Sequence, residues 1–472
     1  LAGAVRGVDL DAHERERILD RTRRTLTYDG SPCDGGPSPR TAIARTTYFP
    51  MISHSRLTTA PVVARLRFVC SHVNGMICAS NHVSLSPATV RLASGTGRAS
   101  THPVMVDQMP PWEQSNLDRI SEDEIAAHYY KQFPGVSYAV KESNKHFWVK
   151  DDEHPYETAA GTEYDWLRGY HTAGRSIMWS RQTYRMGPQD FEANKKEGIA
   201  VDWPIRYEDI DPWYDHVEKF AGIAGNRDGL PQLPDGQFQP GFELTCAEKE
   251  FKSRVEAAFP GRKVIQARVA HITAVTAEQR ELGRSNCQSR NRCHFGCTFK
   301  AYFSSLNATL PAAERTGNYT IVHNAIVQSL QYDEVSRRIT GVQVIDAETR
   351  ETRFYSCRVL FLNASAMASA LILLQSKSTA FPNGLANSSD QVGRNLMDHV
   401  SGAGASGLIS GFENKTIFGR RPGGIYIPRY ANITEHDKPY MRGFGYQGSA
   451  TPLGNAGGQI AGIGREFKQA HG

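Results

Sequence analysis

The pattern of apolar and polar positions changes period several times along the chain, which predicts mixed α and β structure. Short apolar or alternating runs predict strands at residues 320–327, 341–346, 359–362 and 424–428. Helical spacing predicts helices at residues 10–25, from residue 121, through residues 212–220, and across residues 246–259 and 366–374. Ser121 with Glu124 three residues later forms a capping box, and Pro212 fits a first helical turn.

The most informative run covers residues 341–399, because a strand, a crossing of small residues and a helix follow one another there. The apolar run at 359–362 leads into Asn363, Ala364 and two further small residues, and a helix comes next. Small residues at such a crossing let the backbone approach a ligand closely. The combination is half of a nucleotide-binding α/β unit, although the period alone fits any α/β domain.

Length and composition allow a large folded protein. The chain has 472 residues and 40% apolar content, which is enough for two domains or one large discontinuous domain. Its net charge of +5 is uneven, since residues 35–106 contain seven Arg and no Asp, Glu or Lys. The rest of the chain carries −2, so no basic face indicates nucleic acid. No apolar run reaches the ~18 residues of a membrane span, so no transmembrane segment is expected.

Residues 30–105 do not resemble the rest of the chain, because they show no helical or strand period. One Gly-x-Gly turn begins at Gly95 after a weak strand pattern, but Ser100 stands where a phosphate-binding loop needs its last glycine. A shifted reading frame or a foreign insertion is the leading hypothesis, and a disordered segment is the alternative. The internal position argues against a transit peptide.

A second informative run lies at residues 165–181. Gly174, Arg175 and Ser176 form a small polar turn, in which backbone N–H groups can face a ring edge or a phosphate. Trp179 follows, and its chemistry fits either the protein core or the face of a bound ring.

Residues 165–181, 201–214 and 359–366 resemble the glucose–methanol–choline (GMC) oxidoreductase family, whose members use FAD. The resemblance covers about residues 107–472 and is strongest to the branch of sugar dehydrogenases and the gluconate dehydrogenase large subunit. It implies an α/β fold with a discontinuous, Rossmann-like FAD-binding domain and an antiparallel-sheet substrate domain, both incomplete here. The implied divisions are residues 1–29 as a start of the FAD domain, 30–105 as a segment foreign to the family, 106–400 as the FAD-binding domain with inserted segments, and 401–472 as the beginning of the substrate domain.

The resemblance also implies which residues bind FAD. Gly174, Arg175, Ser176 and Trp179 would line the flavin. Val327 would meet the adenine end through its backbone, and the crossing at Asn363 and Ala364 would lie near the flavin. Some sugar oxidases of the family bond FAD covalently through a His one residue before that Trp. Met178 occupies this position, so non-covalent FAD is expected.

Three of the eight cysteines are close in sequence, at Cys287, Cys293 and Cys297. Three thiolates can hold a three-iron (3Fe–4S) cluster, and some sugar dehydrogenases of the family carry an iron–sulfur cluster at a related cysteine group. A zinc site with His294 as fourth ligand lacks the usual Cys-x2-Cys pair. Free cysteines, or one disulfide plus a free thiol, remain the plain alternative.

The resemblance implies an FAD-dependent dehydrogenase that moves a hydride from a CH–OH group of a sugar, sugar acid or polyol to the flavin. The family's catalytic pair, a His with a second His or Asn, is expected beyond Gly472, and none of the 16 His lies in a matching motif. The Gly-x-Gly-x-x-Gly turn expected after residue 29 is also missing. The chain is therefore expected to be an inactive fragment.

Two other interpretations stay open: a non-catalytic iron–sulfur or scaffold subunit, and a truncated product without function. The family branch further implies a cytochrome or small-subunit partner. It also implies a periplasmic or membrane-associated location, while a cytoplasmic one stays open.

Overall fold

The structure is a computed structural model that describes strands at residues 67–71 and 89–92 and most of residues 118–450. Gaps fall at residues 138–139, 291–292, 294–295, 395, 397–403, 408, 410, 413–421 and 435–437. The strands are β1 Arg67–Ser71, β2 Thr89–Leu92, β3 Ile265–Gln266, β4 Tyr319–Val322, β5 Ala325–Asp333, β6 Arg338–Asp346, β7 Thr352–Ser356, β8 Ile425–Ile427 and β9 Gly445–Ser449. The helix predicted at residues 10–25 lies outside the described residues.

The α-helices are α1 Glu122–His128, α2 Phe133–Val136, α3 Pro188–Glu197, α4 Tyr207–Ala221, α5 Cys246–Ala258, α6 Ala277–Glu281, α7 Leu310–Glu314 and α8 Ala366–Gln375. Short 3₁₀ turns occur at Lys145–Phe147 and Gly174–Ile177, and a π turn occurs at Ser305–Thr309. In the part of the chain that is described, no helix is both long enough and apolar enough to cross a membrane.

A four-stranded antiparallel sheet has the order β1-β9-β8-β3 and joins strands that are far apart in sequence. Arg67 pairs with Ser449 at one end of this order, and Ile265 pairs with Tyr426 at the other. Helix α5 packs against the sheet in one apolar cluster. The buried members of the cluster are Ala247, Val264, Ile409, Ile425, Ile427 and Ala450. The antiparallel sheet predicted after residue 400 is confirmed in β8 and β9.

The strands β5, β6 and β7 form a three-stranded antiparallel meander, on which α8 packs. Leu330 and Val342 of the meander and Ile372 of α8 are buried in one cluster. The strand predicted at 341–346 lies inside β6 and is confirmed.

The buried strand predicted at residues 359–362 is wrong. These residues form no strand, and Val359 and Phe361 are 58% and 51% exposed. Leu360 and Leu362 pack on the meander cluster instead, so the run buries only one of its two faces. An apolar run becomes a buried strand only when strands flank it on both sides, and that depends on tertiary neighbours rather than on the run itself.

The pair β2–β4 is parallel, with Thr89 opposite Tyr319, whereas every other strand pair in the described part of the chain is antiparallel. The strand predicted at 320–327 is divided between β4 and β5, because Asn324 between them adopts a left-handed φ of 56°. The weak strand pattern before Gly95 is a four-residue strand here, and the turn after it lies outside the described residues. The predicted α/β class is confirmed.

The helix starts follow local capping chemistry. The Ser121 hydroxyl accepts a hydrogen bond from the Glu124 N–H at 3.2 Å, as the sequence predicts for α1. Helix α4 differs from the prediction, because it begins at Tyr207 and places Pro212 inside the helix. The Arg206 N–H donates to Asp209 Oδ2 at 2.8 Å, and this cap from the Asp209 side chain starts the helix five residues before the proline.

A buried ion cluster fastens α4 to the chain that precedes it. The Arg185 side chain is only 3% exposed and donates to both carboxylate oxygens of Glu218, at 2.8 and 2.7 Å. Its other N–H groups donate to Asp211 and Asp215, which are partly exposed. Arg185 and Glu218 are thus taken from water together, and this buried pair depends on its hydrogen bonds being made.

Candidate functional site

The turn at Gly174–Ile177 has an uncommon backbone. Ala173 and Gly174 both have left-handed φ angles, of 72° and 56°. For Ala this costs about 1–2 kcal/mol, so contacts from elsewhere must hold the turn. A Cβ on Gly174 would meet no heavy atom within 4 Å, so the space beside this residue is open. A turn with open space beside it fits the close approach of a flat ring that the sequence predicts at Gly174, Arg175 and Ser176.

Side chains from the preceding and following residues fix this turn to the protein. The Ser176 hydroxyl donates to the Ala173 carbonyl at 2.8 Å and accepts from the Ser305 N–H at 3.0 Å. The Trp179 indole N–H donates to the Phe303 carbonyl at 3.2 Å, and its ring meets the Phe303 ring edge-on with the centroids 6.4 Å apart. Trp179 therefore helps to dock the turn on the segment before the π turn.

His171 holds the same turn through its ring nitrogens. Its Nε2 lies 2.7 Å from the Gly174 carbonyl oxygen and its Nδ1 lies 3.1 Å from the Phe147 carbonyl oxygen. Burial lowers the pKa of His171 to about 4, although the two carbonyl contacts oppose this shift. Nothing in the sequence marked His171 out, because its partner Phe147 lies 24 residues away.

Replacing His171 with phenylalanine is expected to reduce the loss of stability in acid. The unfolded chain binds a proton at this histidine below about pH 6.5, whereas the folded chain does so only near pH 4. Stability that is present above pH 6.5 is therefore lost as the pH falls through this window, by at most ~1.4 kcal/mol per pH unit. Urea unfolding at about pH 7.5 and about pH 5 measures this. Parallel losses in both proteins would contradict it.

The remaining predicted FAD residues lie on the meander unit. Val327 is half-buried in β5 beside an irregularity in the pairing with β6. Asn363 and Ala364 are exposed just before α8, and the Ala364 N–H donates to Ser369 Oγ at 3.2 Å. Their place at the start of a helix agrees with the predicted crossing, although the strand before it is absent.

One polar contact links the two groups of predicted residues. Thr172 Oγ1 lies 3.2 Å from Nδ1 of His323, which follows β4. Thr172 directly precedes the turn at Ala173 and Gly174, while His323 connects β4 to the strand that carries Val327. The structure thus joins the turn and the meander at this point.

The cysteine group consists of three thiols that are close in sequence. Cys287, Cys293 and Cys297 are free thiols. Burial raises the pKa of Cys287 to about 11, and the other two sulfurs add to this rise through their charges. Within the described residues, no group of three or more His, Cys, Asp or Glu side chains is arranged to hold a metal ion. The structure therefore gives no support to the predicted iron–sulfur cluster, and His294 lies outside the described residues.

A buried arginine and a buried histidine lie near the cysteines, and the sequence analysis missed them. Arg284 is buried and donates to backbone carbonyls, among them Ala221 at 2.9 Å. Burial lowers the pKa of Arg284 to about 10, and the charge of Cys297 opposes this. His271 is also buried, with Nε2 3.8 Å from Cys293 Sγ. Among the described residues these groups are not arranged as a metal site.

Arg181 connects the cysteine group to the turn. Its guanidinium donates to the Ile177 carbonyl at 2.9 Å and stacks on the Tyr302 ring at 3.8 Å. The Tyr302 ring in turn meets His271 edge-on, with the centroids 6.2 Å apart. The two regions that the sequence singled out separately are therefore neighbours.

Residues 202–401 match the family model described as GMC oxidoreductase. The chain is 27% identical over 270 residues to the fructose dehydrogenase large subunit of Gluconobacter japonicus, which covers 56% of this chain and 46% of that protein. It is 24% identical over 365 residues to the 2-methyl-1,2-propanediol dehydrogenase of Mycolicibacterium austroafricanum, which covers 68% and 62%.

A third relative is the paromamine 6'-oxidase of Streptomyces fradiae, 25% identical over 241 residues, with coverage of 48% of this chain and 41% of the relative. The chain thus spans less than two thirds of the length of each of these proteins. The family match lies over the helices α4 to α8 and the meander, which is the part of the chain that the sequence resemblance also covered. On this evidence residues 202–401 are similar to the GMC oxidoreductase family, whose enzymes are FAD-dependent.

Proposed function

We propose that this chain belongs to an FAD-dependent enzyme that oxidises a CH–OH group of a sugar, sugar acid or polyol to a carbonyl. The family match over residues 202–401 is the observation that carries the proposal. The named substrates of the relatives, which are fructose, a propanediol and paromamine, all carry hydroxyl groups on carbon. An alcohol is the chemistry that these substrates share, and it supports the substrate class.

The chain's own residues would bind and orient the cofactor. Bound FAD supplies the hydride acceptor for the oxidation. The open turn at Gly174 would present backbone N–H groups to it, and Trp179 holds that turn on Phe303. Met178 offers no nitrogen for a covalent bond, so the flavin would be held non-covalently.

The electron acceptor and the partner belong to the same proposal. The acceptor would be a cytochrome, a quinone or a dye rather than oxygen, as in the dehydrogenase branch that the sequence resembles. The name of the Gluconobacter relative describes a large subunit, which supports a small-subunit or cytochrome partner for this chain as well. A periplasmic or membrane-associated location would accompany such a partner, and a cytoplasmic one stays open.

Purified chain is expected to bind FAD weakly and to release it unmodified when denatured. Flavin fluorescence titration measures the binding, and acid precipitation separates free FAD from covalently held FAD. Trp179→Leu is expected to weaken binding about tenfold, because the turn loses its contact with Phe303. Trp213→Leu is the matched control, since Trp213 is 62% exposed on α4. No binding at any FAD concentration, or equal binding by both variants, would count against the proposed site.

The same sample tests catalysis and the fragment hypothesis. Sugars, sugar acids and polyols are added with an acceptor dye, and the flavin absorbance is followed. The sequence predicts no matching catalytic histidine among these residues, so no bleaching by any substrate is expected. Bleaching by a sugar would support the proposed oxidation and refute the prediction of an inactive fragment. Iron and acid-labile sulfide assays on this sample decide the separate iron–sulfur hypothesis.

A further inference from the structure

The His171 imidazole faces two hydrogen-bond acceptors. Two carbonyl oxygens face the two ring nitrogens, from Gly174 at 2.7 Å and from Phe147 at 3.1 Å. A neutral imidazole has only one N–H, whereas both neighbours are acceptors. The shorter contact favours Nε2 as the donor, and this tautomer leaves the Nδ1 lone pair facing Phe147.

The pocket that holds the imidazole is shaped for it. The His171 and Phe147 rings pack with their centroids 4.6 Å apart. A Cβ on Gly169 would lie 2.8 Å from the Phe147 carbonyl and 3.0 Å from the His171 ring, so a side chain at this position would displace the histidine. The Gly174 N–H also donates to the His171 carbonyl at 2.9 Å. His171 therefore holds Gly174 at both ends. Its backbone carbonyl accepts from the Gly174 N–H, and its ring contacts the Gly174 carbonyl.

Fixing the Gly174 carbonyl also fixes the next N–H group. The peptide unit between Gly174 and Arg175 is planar and trans, so its C=O and N–H point in opposite directions. Because the carbonyl points inward to His171, the Arg175 N–H points away from the histidine. Arg175 is exposed and a Cβ on Gly174 would meet nothing, so there is open space beside this peptide.

We propose that His171 is a positioning residue that sets the orientation of the Gly174–Arg175 peptide through an Nε2–H···O hydrogen bond, and that FAD binding at the turn depends on this orientation. The second half rests on the proposed function, and the first half does not. Other contacts to the turn, from Ser176 and Trp179, fix its two flanks and leave the 174–175 peptide to His171.

Three variants test the assignment of the donor atom. Gln places its amide nitrogen about where Nε2 stands, Asn places it about where Nδ1 stands, and Phe keeps a ring without a donor. Trypsin cleavage after Arg175 in the native protein reports local opening of the turn without any cofactor. We expect His171→Asn and His171→Phe to raise this cleavage rate about tenfold, and His171→Gln to stay within about threefold of the wild type.

Cleavage after Arg254, on the exposed face of α5, is the control for general destabilisation, because the assignment predicts no change there. The FAD dissociation constant should follow the same order, with Gln near the wild type and both Asn and Phe about tenfold weaker. Equal cleavage after Arg175 in all three variants overturns the positioning role. Unequal cleavage with an unchanged FAD dissociation constant overturns the dependence of binding on it. Absence of FAD binding in the wild type contradicts the proposed function instead, while the cleavage rates still decide the role of His171.

Discussion

Arg185→Leu is expected to lower the free energy of unfolding by about 3–5 kcal/mol, the largest single effect that we predict. The substitution leaves Glu218, 9% exposed, as a charge without its bidentate partner. Most of the loss comes from leaving this carboxylate buried without a partner. The lost attraction contributes less, because the desolvation cost of burying the pair offsets much of its Coulomb energy. Urea unfolding followed by tryptophan fluorescence measures the change.

A second variant separates these two causes. Adding Glu218→Gln to Arg185→Leu removes the stranded charge and keeps an acceptor for the Gln237 N–H, which donates to Glu218 at 2.7 Å. The double variant should therefore recover at least about 1 kcal/mol of the loss. Arg254→Leu is the surface control, since Arg254 pairs with Glu250 while 64% exposed and should show little change. A double variant that is less stable than Arg185→Leu would contradict the desolvation argument.

Gly424→Ala is expected to destabilise the four-stranded sheet by about 2–4 kcal/mol. Gly424 precedes β8 with φ of 80°, and a Cβ there would lie 2.2 Å from the Gly448 carbonyl oxygen. That oxygen belongs to the backbone of β9, opposite Ile425, so it cannot turn aside as a side chain could. The alanine must therefore separate β8 from β9 or rotate the peptide. The loss is measured by urea unfolding.

Gly161 provides the matched control for this effect. Its φ is 79°, almost the same as that of Gly424, but a Cβ there meets nothing within 4 Å. Gly161→Ala thus carries only the backbone cost of a left-handed alanine, about 1 kcal/mol. The difference between the two variants isolates the clash with β9. Equal losses would show that the close approach of the two strands does not exist in solution.

Local signals in the sequence predicted the parts of the fold that local chemistry decides. The cap at Ser121 and the strand within β6 depend on residues a few positions apart, and both are confirmed. The start of α4 was misplaced because two local signals competed, and the cap from Asp209 prevailed over Pro212. The run at 359–362 failed for another reason, since its burial depends on strands from elsewhere in the chain.

The same distinction between local and long-range signals explains which residues of the candidate site could be predicted. Gly174, Ser176 and Trp179 could be picked out because their run resembles a segment of a known family, whereas the local pattern alone left Trp179 between the core and a bound ring. His171, Arg181 and Arg284 could not, because each acquires its role from groups that the fold brings to it. Arg284 donates to a carbonyl 63 residues away. Its own sequence neighbours give no sign that it is buried.

The order of strands in the antiparallel sheet has a consequence for synthesis on the ribosome. The meander pairs neighbouring strands and can close once residue 356 has emerged, because its contacts are short in sequence. The sheet β1-β9-β8-β3 instead pairs Arg67 with Ser449, so its first strand has no partner until nearly all of the described chain has been made. During that interval an unpaired edge is exposed to other chains. We therefore expect the meander to become protected early and the long-range sheet to be the part of the molecule that depends most on chaperones.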